Sequence, residues 1–521
     1  MRPPLKTLHG ESFDVAIIGA GVNGASAAQH LSAAGYSVLL VDKGDFASGS
    51  SSRSSRLLHC GLRYLAPGSS IWEFVRHPAR LATALRMAKQ AMESRAQLVT
   101  TAPERARPMK FHFPVYKDGP YATWQLDLAF RILAALGPSS VPLEYRRLSQ
   151  SEILSTPLVR WLRDPEQLLG VAGFCEYQFE WPERICIDAV LDAERMGAVV
   201  RNYTSAVKIA REDRGTWSVT LTDSLAPEDS AVVQAKVLLN VAGIWIDSVN
   251  STAGTAVHRC ITGTKGVHVM FKLPPECVGY GIATINRAKE PFYCVPWRGL
   301  HYFGPTETLF EGNIDDIRPL EDEVEWIVQE ANYLLPELKL KRPDMLFAWA
   351  GVRPLTYDAS LPKGNRSRQV HEFAAQGLPD LMAITAGPVM THRSAGVELT
   401  KRVQSRIRAS RPAQTLSYAA RQYPRDQESP PLLDHYQEIK MSDLRVAARQ
   451  EHPETLTDLM FRRVGAGWTA TMGSEAAERA AAAVADVMNW DPARVREEVR
   501  RYREYLAENH LLPPSSSTRR A

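Results

Sequence analysis

Residues 13–45 read FDVAIIGAGVNGASAAQHLSAAGYSVLLVDKGD, and the order of residue types within them decides the fold. Val15, Ala16, Ile17 and Ile18 form the continuous apolar run of a strand buried on both faces of a parallel sheet, and the run leads straight into Gly19, Gly21 and Gly24. The three glycines have separate tasks. Gly19 allows the tight turn, Gly21 lets the backbone approach a pyrophosphate, and Gly24 lets the following helix pack on its strand. The N-terminus of that helix then turns its unpaired amides toward the phosphates. A second apolar run ends at Asp42, about twenty residues after the glycines, where a carboxylate accepts hydrogen bonds from ribose hydroxyls and argues against a 2′-phosphate. A lone GxGxxG is a weak signal, but strand, glycines, helix, second strand and acid in register specify a dinucleotide site. From these residues alone the nucleotide is NAD or FAD.

The next stretch, residues 48–65, reads SGSSSRSSRLLHCGLRYL. It resembles the corresponding segment of the FAD-dependent glycerol-3-phosphate dehydrogenases, a Ser/Thr-rich turn followed by a basic residue and HGGLRYL. Further segments match that family in the same order: RPMKFHFPVY (107–116), CEYQFEW (175–181), LLNVAGIWID (238–247), TKGVHV (264–269), VPWRGLHYFGPTET (295–308) and WAGVRPL (349–355). The resemblance implies FAD as cofactor, held by Gly19, Gly21, Gly24, Asp42, Ser51, Ser52, His59, Gly61, Ala242, Gly243 and Gly387. It also implies a quinone as electron acceptor. The chain departs from the family at one turn, where GGKLTTYR is replaced by AGPVMTHR (386–393) and the usual lysine by Pro388. Proline supplies neither charge nor an N–H donor. Lys265 and Arg393 are the candidates to take over that charge. Milder departures are Arg56, Cys60, Pro305, Glu307 and His392.

The expected fold class is α/β, with a Rossmann-like FAD-binding domain, a mixed α+β substrate domain and a helical C-terminal domain. The FAD-binding domain is discontinuous, over residues 10–75, 170–255 and 346–410; residues 76–169 and 256–345 form the substrate domain. Residues 411–521 comprise a linker rich in Pro, Arg and Gln, a helical region and a frayed tail, PPSSSTRRA (513–521). Alternation over residues 266–271 and 292–303 predicts antiparallel strands. The adjacent pair Arg462 and Arg463 reads as a solvated or salt-bridged helix face.

Composition is that of a globular chain of 521 residues, larger than one ordinary domain. A formal net charge of +4 is small for this length and gives no case for nucleic acid. The six cysteines show no CxxC pair and no metal-ligand spacing, so the reading is reduced thiols, no metal and a cytoplasmic setting. No leader and no run of about 18 apolar residues is visible. Amphipathic stretches at 81–89 and 124–136 suit core packing or peripheral contact with the inner face of the cell membrane. A homodimer is the assembly considered.

Oxidising a secondary alcohol with a flavin requires a base for the hydroxyl proton while hydride leaves carbon for flavin N5. His59, His268 and His301 are the candidates, and His268, in the TKGVHV strand, is preferred; Arg353 is assigned to catalysis with it. A small phosphorylated anion needs fixed guanidinium donors. Arg63, Tyr64, Arg353, Arg368 and Thr391 are the substrate-binding set. The function read from the whole is oxidation of sn-glycerol-3-phosphate, or a close polyol phosphate, to the ketone, dihydroxyacetone phosphate. Two alternatives stand beside it: a flavin oxidoreductase for another small anion, a hydroxy acid or amino acid, which Pro388 favours, and a flavin-binding protein without turnover.

Overall fold

Alternate residues of one short strand feed two different cores. A computed structural model of the chain describes residues 2–65, 74, 76–213, 215–423 and 425–510; the tail at 513–521 and part of the 10–75 segment lie outside them. Strand Ser12–Ile18 pairs in parallel with Val38–Val41 on one side and Ser230–Asn240 on the other, Val15 standing opposite both Val38 and Val237. Val15 and Ile17 pack with Ala25, Ala28 and Leu31 of helix Val22–Ala33 and with Val190 and Leu399 of two neighbouring helices. Ala16 and Ile18 face the opposite way, toward Trp217, Ile261 and Val352. Burial on both faces is what selects unbroken apolar runs in place of alternation.

The parallel sheet continues outward to Val199–Arg201 at one edge and Leu381–Thr385 at the other, where Gln369–Glu372 adds an antiparallel strand. A hairpin, Thr204–Arg211 and Trp217–Asp223, is appended to Ser230–Asn240. A second, mixed sheet of ten strands contains the expected antiparallel runs as Ile261–Phe271, Pro291–Trp297 and Leu300–Gly304. One long antiparallel pair sets Ile261–Phe271 against Met345–Thr356 with Thr264 opposite Arg353, Gly266 opposite Gly351 and His268 opposite Trp349. Because facing residues of a pair share one side of a sheet, Thr264, His268, Trp349 and Arg353 all project from the same face.

The C-terminal region carries a two-stranded antiparallel hairpin, Pro431–Leu433 with Tyr436–Lys440, inside the stretch expected as linker and helices, and then helices Met441–Gln450, Ala477–Met488 and Pro492–Asn509 around a π-helical turn, Asp458–Arg463. Its arginine pair is ion-paired and fully packed. Arg462 Nε and Arg463 Nη2 reach Asp45, just after the nucleotide strand, at 2.6 and 2.7 Å. Burial alone would raise the Asp45 carboxyl, but the two guanidiniums hold it down at about 2. The same segment places Trp468 behind the second sheet, where its Nε1 donates to Glu183 at 2.9 Å. Residues 411–418 run along the end of helix Val22–Ala33, with Arg411 N on Gly35 O and Gln414 N on Ala33 O. Among the described residues no helix is long and apolar enough to cross a membrane.

Candidate active site

A cavity of about 460 Å³ opens at the C-terminal ends of the parallel strands. Gly19, Gly21, Asp42, Ser51, Ala242, Gly243 and Gly387 line it, together with Arg53, Val352, Pro354 and Val389. Gly19 has φ +106°, and a Cβ on it would stand 2.7 Å from the Val241 carbonyl oxygen. Gly24 does not face the cavity. It packs on the turn itself, where a Cβ would lie 1.8 Å from Gly19 O. Ser51 Oγ accepts from Val22 N at 3.0 Å and so caps the helix that points at the cavity. Ser52 donates to Gly49 O and fixes the serine turn from behind. Gly61 (φ +90°) lies against Ala88, and His59 belongs to a neighbouring cluster.

That cluster holds three guanidiniums. Arg63, Arg353 and Arg366 each feel the others' charge, and Glu307 is the carboxylate among them, ion-paired to Arg366. Burial, reinforced by Arg63, lowers Arg366 to about 10. Arg353 fits because Gly266, diagonal to it across the strand pair, has no side chain: a Cβ there would stand 2.5 Å from its Nη2. Tyr64 lies edge-on to His59 at 5.7 Å. Four polar atoms here are buried without a partner: His59 Nδ1, Thr264 Oγ1, His268 Nδ1 and Arg353 Nη1. Leaving such atoms unpaired costs about 1–3 kcal/mol each, and a polar ligand bound among them would supply their partners.

His268 is stacked on Trp349 at 4.8 Å and 12°, and its Nε2 lies 2.9 Å from Ser55 Oγ. Burial, then Arg353 and Arg56, keep its pKa well below the ordinary histidine value, so the ring is neutral. Arg56 is not a ligand group. It sits between Trp297 and Trp468, 4.2 Å from each ring, and pairs with Glu183. His301 is turned away, on the carbonyls of Cys277 and Tyr280.

Arg368 is engaged with Glu398, Thr391 O and Ser394 Oγ. Arg366, two residues earlier, occupies the arginine cluster; the sequence reading passed it over and took Glu307 only as a departure from the family pattern. Thr391 Oγ1 donates to Pro388 O at 2.9 Å and holds the divergent turn closed. Neither candidate for the missing lysine faces the cavity. Lys265 Nζ is bound to Glu323 at 2.7 Å, and Arg393 reaches Thr101 and stacks over Tyr418. Arg53 lines the cavity beside the turn, with Nη1 donating to Ile317 O at 2.9 Å.

Residues 14–393 match the model of the family described as FAD dependent oxidoreductase. The chain belongs to that family. A glycerol-3-phosphate dehydrogenase of Synechocystis sp. is 29% identical over 415 residues, covering 77% of this chain and 71% of its own length. An aerobic glycerol-3-phosphate dehydrogenase of Staphylococcus haemolyticus is 26% identical over 409 residues, 77% of this chain and 69% of its own. Among solved structures, the glycerol-3-phosphate dehydrogenase of Bacillus halodurans complexed with FAD superposes with a TM-score of 0.71 over 98% of both chains at 20% identity, which establishes likeness of fold.

FAD is therefore the cofactor of this oxidoreductase, and the cavity suits it: a glycine turn with no room for side chains, a capped helix N-terminus and an acid at the end of the second strand. Asp42 already accepts from Ala20 N and Gly44 N at 2.7 and 2.9 Å. Enclosure by protein nevertheless raises its pKa to about 6. Without FAD, the folded chain holds an extra proton between about pH 4 and 6, so this group's contribution to stability is present at low pH and is lost as pH rises through about 6. A ribose hydroxyl donating to the carboxylate favours the ionised form. The affinity of apoprotein for FAD is accordingly expected to fall by up to about tenfold per pH unit below 6 and to level off above it. Asp42→Asn should flatten that slope in a fluorescence titration.

Proposed function

We propose that the chain oxidises sn-glycerol-3-phosphate, or a close polyol phosphate, to the corresponding ketone. The observation that carries this reading is the charge of the cluster. Arg63, Arg353 and Arg366 against Glu307 leave a net charge of about +2, matching a phosphate monoester, which is mostly a dianion at pH 7 because its second pKa is about 6. A monocarboxylate would leave one buried guanidinium uncompensated, which is costly. Fold alone does not choose, since glycine oxidase from Geobacillus kaustophilus also superposes, with a TM-score of 0.52 over 80% of this chain.

FAD, when bound, supplies the two-electron acceptor. The arginines hold the phosphate and thereby fix the carbinol relative to the second sheet. With Nε2–H donating to Ser55, His268 Nδ1 keeps a lone pair and takes the hydroxyl proton. Its depressed pKa keeps it in the base form through neutral pH, and the arriving phosphate offsets the arginine charge that would oppose an imidazolium.

Arg53 takes the electrostatic part of the missing lysine. Arg53→Gln should make the flavin midpoint potential more negative by about 30 mV, a change of about 1.4 kcal/mol for two electrons, as read by redox titration. Electrons then pass to a quinone. Trp124 and Leu128, one turn apart on helix Thr123–Leu136, are 54% and 48% exposed and give a face for contact with the bilayer surface. Dye-linked turnover tests the substrate reading: sn-glycerol-3-phosphate should be oxidised, and turnover confined to glycine or lactate would replace it with the carboxylate reading.

A further inference from the structure

Away from the nucleotide cavity and the arginine cluster, three metal-ligating side chains converge where the two sheets meet. His258 and Cys260 lie at the entrance to strand Ile261–Phe271, and His371 lies in the edge strand Gln369–Glu372. His258 Nε2 and His371 Nδ1 are 3.4 Å apart, and with Cys260 Sγ they form a set whose members all lie within 4.8 Å of one another. Tetrahedral zinc, with its usual bond lengths, sets two imidazole nitrogens about 3.3 Å apart and a nitrogen about 3.6 Å from a thiolate sulfur. The nitrogens already stand at that separation. His258 is exposed, with its ring stacked on Phe373 at 5.4 Å, and a turn of that ring covers the remaining distance toward the sulfur.

The surroundings orient the rings as ligands. His371 Nε2 is 2.9 Å from Thr385 Oγ1, so an Nε2–H donated there leaves Nδ1 bare toward the other two residues. His258 Nδ1 faces the side-chain amide of Gln376, whose Oε1 is buried and without a partner. The amide orientation that puts this oxygen on a His258 Nδ1–H leaves Nε2 bare for a metal. Asp247 accepts from the backbone N–H groups of Cys260 and Ile261 at 2.9 and 3.2 Å, which fixes the backbone that carries the thiol, and the thiol itself lies 3.5 Å from the His258 carbonyl oxygen. Two neutral imidazoles and a thiolate would leave a divalent ion with one positive charge, and the Asp247 carboxylate, held at the backbone of Cys260, would offset it.

We propose that His258, Cys260 and His371 bind a zinc ion that clasps strand Ile261–Phe271 of the second sheet to the edge of the nucleotide sheet. A donor set of two imidazoles and a thiolate selects zinc over magnesium or calcium, and the fourth position, on the solvent side, belongs to water. The site is independent of the substrate reading, since none of its residues touches the arginine cluster or lines the flavin cavity.

The test uses the FAD-loaded full chain, stripped with a chelator and titrated with Co²⁺ alone. The expected result is a thiolate-to-cobalt charge-transfer band with tetrahedral d–d bands, erased by added Zn²⁺. Cys260→Ser should remove the charge-transfer band. His258→Ala, a change at an exposed side chain that leaves the core intact, should weaken binding by about a hundredfold or more. No thiolate band in the unaltered protein, or the same band and affinity in His258→Ala, would overturn the assignment.

Discussion

Replacing Arg353 with methionine is expected to lower kcat/KM for sn-glycerol-3-phosphate by about a thousandfold, or about 4 kcal/mol, while the flavin content stays unchanged. The guanidinium sits opposite Thr264 in the long strand pair, over a glycine that leaves room for it, and one of its nitrogens is buried without a partner. In the free enzyme that nitrogen is a cost; with the phosphate in place it donates a charge-assisted hydrogen bond. The same variant should therefore melt no lower than the unaltered protein, and higher if the methionine packs well. Arg353→Lys restores charge without the planar fork and should recover only part of the loss. Steady-state kinetics with a dye acceptor and thermal melting read both effects. A loss of less than about tenfold would place the phosphate elsewhere.

Gly24→Ala is expected to yield protein with little or no flavin and a lowered melting temperature even as apoprotein. Its Cβ would stand 1.8 Å from Gly19 O, a backbone atom of the turn, and no side-chain rotation can relieve that contact. The helix must back away from the strand, and the phosphate-facing turn goes with it. Gly21 provides the contrast. A Cβ there meets Ser51 Oγ at 3.0 Å, the end of a side chain, so Gly21→Ala should fold normally as apoprotein. It should lose FAD affinity only because the methyl stands in the cavity where the pyrophosphate approaches. Flavin absorbance per chain and apoprotein melting curves separate the two cases. Equal melting of both variants would contradict the division of labour between these glycines.

The parts of the molecule legible in the sequence are those whose determinants are local. The apolar run, three glycines, helix and acid of residues 13–42 specify their own geometry within one supersecondary unit, and the alternation near residues 266 and 292 specifies antiparallel strands. What was not legible depends on contacts between distant segments. Arg366 and Arg368 differ by two residues ahead of one strand, and spacing cannot choose between them; the hairpin-like closure of Thr356 on Asn365 delivers Arg366 to Glu307 and leaves Arg368 for Glu398. For the pair Arg462 and Arg463 the salt-bridged alternative holds, but the partner was not legible because the carboxylate, Asp45, is supplied from near the other end of the chain. His258 and Cys260 gave no recognisable ligand spacing because His371 arrives from another sheet. Arg53 and Trp468 were missed for the same reason: their roles come from what the fold sets beside them.

On this reading the enzyme moves two electrons from a phosphorylated secondary alcohol to its flavin. Anaerobic mixing of the FAD-loaded protein with sn-glycerol-3-phosphate, followed at the oxidised-flavin band near 450 nm, tests it most directly. Rapid bleaching is expected, with one equivalent of dihydroxyacetone phosphate formed per flavin, and no bleaching with glycerol, which lacks the phosphate the arginines hold. A flavin that stays oxidised with sn-glycerol-3-phosphate but bleaches with a hydroxy acid or an amino acid would contradict it.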